Sequence, residues 1–105
     1  MGSALKMNLA NTVLLIIGGT GSFGHAALDR FLTTDIREIR ILSRDEKKQD
    51  DMRHAYQKWN PQYADKIKFY IGDVRDYNSI LNAFRGVDFV FHAAALKQVP
   101  SCEFF

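Results

Sequence analysis

The sequence predicts an α/β protein: half of a doubly wound fold, with a parallel sheet in the order 3-2-1-4 and helices on its faces. Three observations carry that reading. Thr12–Ile17 is an unbroken run of apolar and β-branched residues, as a strand buried on both faces requires. Glycines begin where the run stops, at Gly18, Gly19, Gly21 and Gly24, and a helical stripe follows them. The rest of the chain alternates strand and helix without internal repeats or low-complexity linkers. Right-handed crossovers convert that alternation into a parallel sheet with the first strand at its centre.

Each element has its own signal. Phe23, Ala27, Leu28, Phe31 and Leu32 recur at helical spacing, and Thr33–Arg37 connects that helix to a second strand, Glu38–Ser43, containing Ile39, Ile41 and Leu42. Ser43-Arg44-Asp45-Glu46 fits a capping box with Ser43 as N-cap. Met52, Ala55, Tyr56 and Trp59 then form a core-facing stripe, which places Tyr56 and Trp59 in the core, and Asn60-Pro61 stops the helix. Ile67, Phe69 and Ile71 alternate with Lys68 and Tyr70 as a third strand. Asp76 caps a short helix bearing Tyr77, Ile80, Leu81 and Phe84, which Gly86 ends. Phe89–Ala95 is the fourth strand. Lying last in the order, it is expected to be an open apolar edge that promotes self-association, which suggests a fragment whose fourth strand normally pairs with a fifth.

Composition bounds the function. A chain of 105 residues makes at most one domain, read as a flexible tail over 1–11 and the N-terminal part of a nucleotide-binding domain over 12–105. Fourteen basic and twelve acidic residues, net +2, are too balanced to argue for a nucleic acid or a membrane surface, and no basic stripe carries interleaved aromatics. The single cysteine, Cys102, excludes an internal disulfide framework and suits a cytoplasmic protein. No run approaches the roughly 20 apolar residues of a membrane span, and no charged-then-apolar leader precedes the first strand. No metal-ligand spacing is present. His25 and His54 read as helix-surface residues and His92 as a satisfied core histidine.

The chemistry gathers at the ends of the strands. Two glycine registers fit: Gly19, Gly21 and Gly24 match G-x-G-x-x-G, and Gly18, Gly21 and Gly24 match the wider G-x-x-G-x-x-G. In either, glycine permits a tight turn and lets a diphosphate approach free amides at a helix start, where a side chain at Gly21 would stand in the way. After the second strand, where NAD-binding versions of the fold carry an acidic residue, stand Ser43 and Arg44 with Lys47 and Lys48 behind them. Those donors suit a 2′-phosphate and hence NADP, with a solvated helix face as the alternative for the lysines. Asp45 and Glu46 pull the other way, towards an unphosphorylated ribose. Asp73 is placed to accept from the adenine amine and the Val74 main chain to pair with the ring, the alternative for Asp73 being an Asx turn. Ala93, Ala94 and Ala95 are small enough to let a cofactor pass, and Lys97 follows on a loop, either binding phosphate or sugar oxygen or simply exposed.

GGTGSFG, ILSRDEKKQ, FYIGDVRD and FHAAALKQVPSCEFF, in that order and spacing, resemble the successive N-terminal motifs of UDP-N-acetylglucosamine 4,6-dehydratases. These are extended short-chain dehydrogenase/reductases of bacterial capsule, O-antigen and flagellin sugar biosynthesis. The resemblance runs from about Asn11 to Phe105. It implies NADP as cofactor, UDP-N-acetylglucosamine as substrate and a homo-oligomer when complete. It also places Thr20, Gly21, Ser22 and Phe23 on the diphosphate and Ser43, Arg44, Asp45, Glu46, Lys47 and Lys48 around the adenosine phosphate. Asp73 and Val74 fall on adenine, Ala93 beside the cofactor and Lys97 between cofactor and substrate. Ile17 departs from the family, which commonly has Thr there. The family's catalytic Thr-Asp-Lys stretch has no counterpart here, so the resemblance implies roughly the first third of such an enzyme, without its catalytic residues. A dinucleotide-sensing module that performs no chemistry is the alternative.

Overall fold

The computed structural model describes residues 9–18, 20–93 and 102–104. Its elements run β1 Val13–Ile17, α1 Ser22–Leu32, β2 Glu38–Ser43, α2 Glu46–Trp59, α3 Pro61–Ala64, β3 Ile67–Ile71, α4 Tyr77–Phe84, β4 Phe89–His92 and β5 Cys102–Phe104. They form one sheet in the order β3-β2-β1-β4-β5. β1 pairs in parallel with β2 and with β4, and β2 in parallel with β3, which is the expected 3-2-1-4 arrangement.

All five residues of β1 are buried, and their alternation feeds two cores. Leu14 and Ile16 pack with Leu28, Leu32, Met52 and Tyr56, so α1 and α2 cover one face. Val13, Leu15 and Ile17 pack with Ala83, Val90 and the partly buried Ile80 and Phe84, so α4 covers the other. Packing begins ahead of the strand: Leu9 is buried in the first core, and its N–H donates to Asp35 Oδ1 at 3.1 Å. Two polar contacts fasten the helices. The Tyr56 hydroxyl donates to Asp29 Oδ1 at 2.5 Å, joining α2 to α1. Burial first, and the Asp29 carboxylate second, push that phenol well above its ordinary pKa. On the opposite face, Arg40 of β2 donates to the carbonyls of Ala83 at 3.0 Å and Arg85 at 2.6 Å, capping the end of α4.

Several expectations are corrected. β4 ends at His92 rather than Ala95, and it is not an edge: β5 pairs antiparallel with it, Phe89 opposite Phe104 and Phe91 opposite Cys102. The N-cap of α2 is Asp45, whose side chain accepts from Lys48 N at 3.0 Å. Ser43 cannot fill that role because it is still paired in the sheet, in register with Ile71. Trp59 is not core but 71% exposed, and Ala55 is exposed as well. The buried face of α2 runs through Gln49, Met52 and Tyr56. Asn60-Pro61 does not simply end the helix but starts α3, whose Tyr63 packs on the first core. Tyr77 and Leu81 face outward, because α4 buries Ala83 instead.

This rotation of α2 makes a contrast that denaturation can read. Met52→Ala should cost about 2–5 kcal/mol of stability, whereas Trp59→Ala should cost about 0.5 kcal/mol or less. Equal losses in urea titrations of the two variants would contradict the assigned face.

Candidate functional site

A cleft of about 750 Å³ runs along the carboxyl ends of the parallel strands, reaching Ile17, Ser43, Gly72 and His92. In doubly wound sheets this is where ligands lie, at the point where strand order reverses between β1 and β4. Gly18, which lines the cleft, has φ of 77°, a conformation that side chains resist. Its N–H donates to Leu42 O at 2.8 Å and its carbonyl accepts from Gly21 N at 3.2 Å, closing the turn. Gly18 is therefore glycine by need, which is the feature peculiar to the wider register; Gly19 lies outside the described residues.

Gly21 is the N-cap of α1 with an extended backbone, and no side chain caps the helix. The bond from His25 N to Gly21 O, 2.9 Å, is the first of the helix, so the amides of its opening turn have no intrahelical acceptor. No acidic residue occupies that turn, and the positive end of the helix dipole is left to face an anion. A Cβ on Gly21 would meet only Gly18 O, at 3.7 Å, so the fold itself leaves room for one. Thr20 lines the cleft, while Ser22 and Phe23 stand exposed at the start of α1.

At the other end of the cleft, Ser43, Arg44, Asp45 and Glu46 face Asp73 and Val74. The Ser43 hydroxyl accepts from Gln49 Nε2 at 3.0 Å, which leaves its own proton to donate. Gln49 is 1% exposed and is fixed by a second bond, Nε2 to Tyr70 O at 2.7 Å. Arg44 is largely exposed, with Nη1 3.6 Å from Asp73 Oδ2, an ion pair beyond hydrogen-bond length. The two lysines are not brought into the cleft. Lys47 Nζ lies 3.4 Å from Asp51 Oδ2, and Lys48 is exposed, its amide serving the Asp45 cap.

Asp73 forms the Asx turn, its Oδ1 accepting from Arg75 N at 2.9 Å, and its carboxylate also holds the Arg75 guanidinium, with Nη2 2.8 Å from Oδ2. Hydrogen bonds from the Arg75 side chain and then its backbone, with the Arg75 and Arg44 charges behind them, hold the Asp73 carboxyl well below the usual carboxylate range. The turn beneath it is tight. Ser79 Oγ accepts from Asp73 N at 3.1 Å, and a Cβ on Gly72 would stand 2.9 Å from Ser79 O. Ala93 follows β4 and is buried in the first core, while Lys97 lies outside the described residues. His92 is not a satisfied core histidine: Nδ1 is buried without a hydrogen-bond partner among the described residues, and the side chain borders the cleft. Arg75, Gly72 and Gln49 escape a reading of the sequence. The Asp-x-Arg spacing at 73 and 75 is the one signal that pointed to any of them.

Sheet order and cleft define a Rossmann-like fold. The X-ray structure of Pen from Bacillus thuringiensis superposes with a TM-score of 0.74 at 34% identity, over 89% of this chain and 28% of that one. A short chain dehydrogenase from Bacillus anthracis shares the fold, with a TM-score of 0.59 at 22% identity over 77% of this chain and 32% of that one. The chain belongs to the polysaccharide biosynthesis protein family, whose model matches residues 14–105. A protein of Rickettsia bellii (strain RML369-C) named UDP-glucose 4-epimerase is 69% identical over 96 residues, 88% of this chain and 26% of that protein. One of the same name from Rickettsia felis is 67% identical over 96 residues, with the same coverage of 88% and 26%. The chain thus spans about a quarter of the length of these curated relatives.

The Asp73 pair has a pH signature. Because its folded pKa is lowered, the stabilisation is complete above the unfolded aspartate value of about 4 and is lost as pH falls through the folded value. A carbon-detected NMR titration should show Asp73 Cγ titrating below the ordinary aspartate midpoint, and Arg75→Ala should move it back up. An ordinary midpoint in the unaltered protein would contradict the pairing.

Proposed function

We propose that the cleft binds NADP(H), and that the protein is the cofactor-binding part of an enzyme that oxidises a UDP-sugar at C4. The observation that carries this reading is one alignment along the sheet edge. Gly18 and Thr20, which lead into the uncapped start of α1, line the cleft beside β1, for a diphosphate, and Ser43, Arg44 and Asp73 line it beside β2 and β3, for an adenosine phosphate and its base. The donor set fits a dinucleotide. Gly18, Thr20 and Gly21 shape the turn, the amides of Ser22 and Phe23 receive the diphosphate, and Asp73 with the Val74 main chain receives adenine. Ser43 donates its free proton and Arg44 its fork to a 2′-phosphate; Lys47 and Lys48 add charge from farther off, while Asp45 and Glu46 border the ribose. Ala93 follows β4 at the nicotinamide end, and the resemblance of the motifs assigns Lys97 the bridge between cofactor and sugar. The bound nicotinamide supplies hydride acceptance from the sugar and its return.

The 4,6-dehydratase reading, with UDP-N-acetylglucosamine as substrate, is supported by the four ordered motifs. In it the C4 ketone permits loss of water across C5 and C6, and the hydride returns to C6. A second reading is favoured by the names of the Rickettsia relatives, in which the hydride returns to the opposite face of C4 and no water leaves. Product analysis by NMR on the complete enzyme separates them: a 4-keto-6-deoxy sugar from UDP-N-acetylglucosamine supports the first, interconversion of UDP-glucose and UDP-galactose the second. Lys97→Ala in the complete enzyme should impair turnover in either while leaving the fold intact. Unaltered steady-state kinetics would return Lys97 to an ordinary exposed lysine.

Calorimetry tests the cofactor directly. NADP should bind at least about tenfold more tightly than NAD, the lower end of what a charge-assisted phosphate contact supplies, and Arg44→Ala should erase the difference. Gly21→Ala should unfold at the wild-type denaturant concentration, since its Cβ has room within the protein, yet weaken binding of both dinucleotides. Equal affinities, or undiminished binding by Gly21→Ala, would overturn the reading.

A further inference from the structure

We propose that Arg75 is a specificity-determining positioning residue: it consumes all but one acceptor position of the Asp73 carboxylate and so aims the remaining one at the amine of an adenine base. The argument is a count of lone pairs. An ionised carboxylate offers about four acceptor positions, two on each oxygen. On Asp73, Oδ1 accepts from Arg75 N at 2.9 Å, Oδ2 accepts from Arg75 Nη2 at 2.8 Å, and the single Nε proton is shared between Oδ1 at 3.1 Å and Oδ2 at 3.2 Å. Three protons thus take up three of the four positions, and one is left. The group nearest to claim it is Arg44 Nη1, which at 3.6 Å attracts without bonding.

The fork also fixes direction. Arg75 grips the carboxylate with its backbone N–H and with its planar guanidinium, so rotation about the Asp73 side chain would break several bonds at once. The main chain beneath is held by Ser79 Oγ, which accepts from Asp73 N and donates to the carbonyls of Asp73 or Asp76, and by the lack of space at Gly72. Arg75 itself borders the cleft, and its side chain is 75% exposed, so it is held by Asp73 and not by packing. An exposed arginine that contributes nothing to a core but immobilises an acceptor at a cleft acts through that acceptor. A carboxylate free to rotate would offer any of four lone pairs to solvent and would discriminate weakly between a base carrying an amine and one carrying a carbonyl. Fixed with one position open and the charge retained, it accepts from an N–H and repels a carbonyl oxygen.

This inference rests on the adenine assignment made above, and the experiment separates the two. Dissociation constants are measured by calorimetry for the adenine dinucleotide and for its hypoxanthine counterpart, in which a carbonyl replaces the exocyclic amine. The proteins are the unaltered one, Arg75→Ala, Arg75→Lys and Asp73→Ala. The unaltered protein should favour adenine by about tenfold or more, as a charge-assisted bond predicts. Arg75→Ala should bring that ratio to within about twofold, chiefly by weakening adenine, and Arg75→Lys, which lacks the planar fork, should restore less than half of it on a logarithmic scale. Circular dichroism of each variant reports folding, which loss of an exposed pair should leave intact, and denaturation should shift only by the small contribution of the pair itself. If Arg75→Ala keeps the full ratio while Asp73→Ala abolishes it, the role of Arg75 is overturned and the adenine site stands. If Asp73→Ala also keeps the ratio, or the unaltered protein shows none, the adenine assignment falls and this inference with it.

Discussion

Burial of β1 on both faces is the constraint on which everything else depends. A strand whose five residues all lose contact with water must have sheet neighbours on both sides and helices above and below. Right-handed connections then send α1 and α2 to one face and bring the chain back across the other through α4. That return places β4 beside β1 and splits the strand ends there, so the cleft is a product of how the core is filled. The turn after β1 has no choice but to lie in the split, and Gly18 takes the left-handed conformation that the tight exit requires.

Two kinds of rigidity support the cleft. Beside β1 it is backbone geometry: glycines, a closed turn and a helix start without a side-chain cap. Beside β2 and β3 it is side-chain chemistry. Gln49, buried behind Ser43, fixes the orientation of that hydroxyl, and Arg75 fixes the orientation of Asp73. One support comes from α2 and the other from the turn that carries Asp73, so the groups facing the cleft need not be restrained by a ligand. A site with its polar groups already aimed loses less entropy on binding than one that must order them.

The elements that fix the site were legible in the sequence because each carries a strong local signal: the apolar run of β1, the glycines after it and the alternating apolar residues of β3. What was not legible depends on contacts distant in sequence. Ser43 looks like a helix cap by spacing alone, but its pairing with Ile71 across the sheet keeps it in a strand, and Asp45 takes the cap. Trp59 fits the stripe of α2, yet the buried face of that helix runs through Gln49, Met52 and Tyr56, and Tyr63 of the unforeseen α3 packs on the same core. Antiparallel pairing of a three-residue strand onto β4 leaves no periodicity to read, so the fourth strand looked like an edge. Arg75 is a plain exposed arginine until the turn at Asp73 folds it back.

The central claim is that this one cleft receives a dinucleotide along its length. An amide-resolved NMR titration with NADP measures that most directly, because it reports on each part of the cleft separately. The account predicts shifts at both ends together, at Gly18 and Thr20–Gly24 and at Ser43–Asp45 and Asp73–Arg75, with the outer faces of α2 and α4 unmoved. Shifts confined to one end, or centred on the groove between α2 and β3 that Arg53 and Phe69 line, would contradict it.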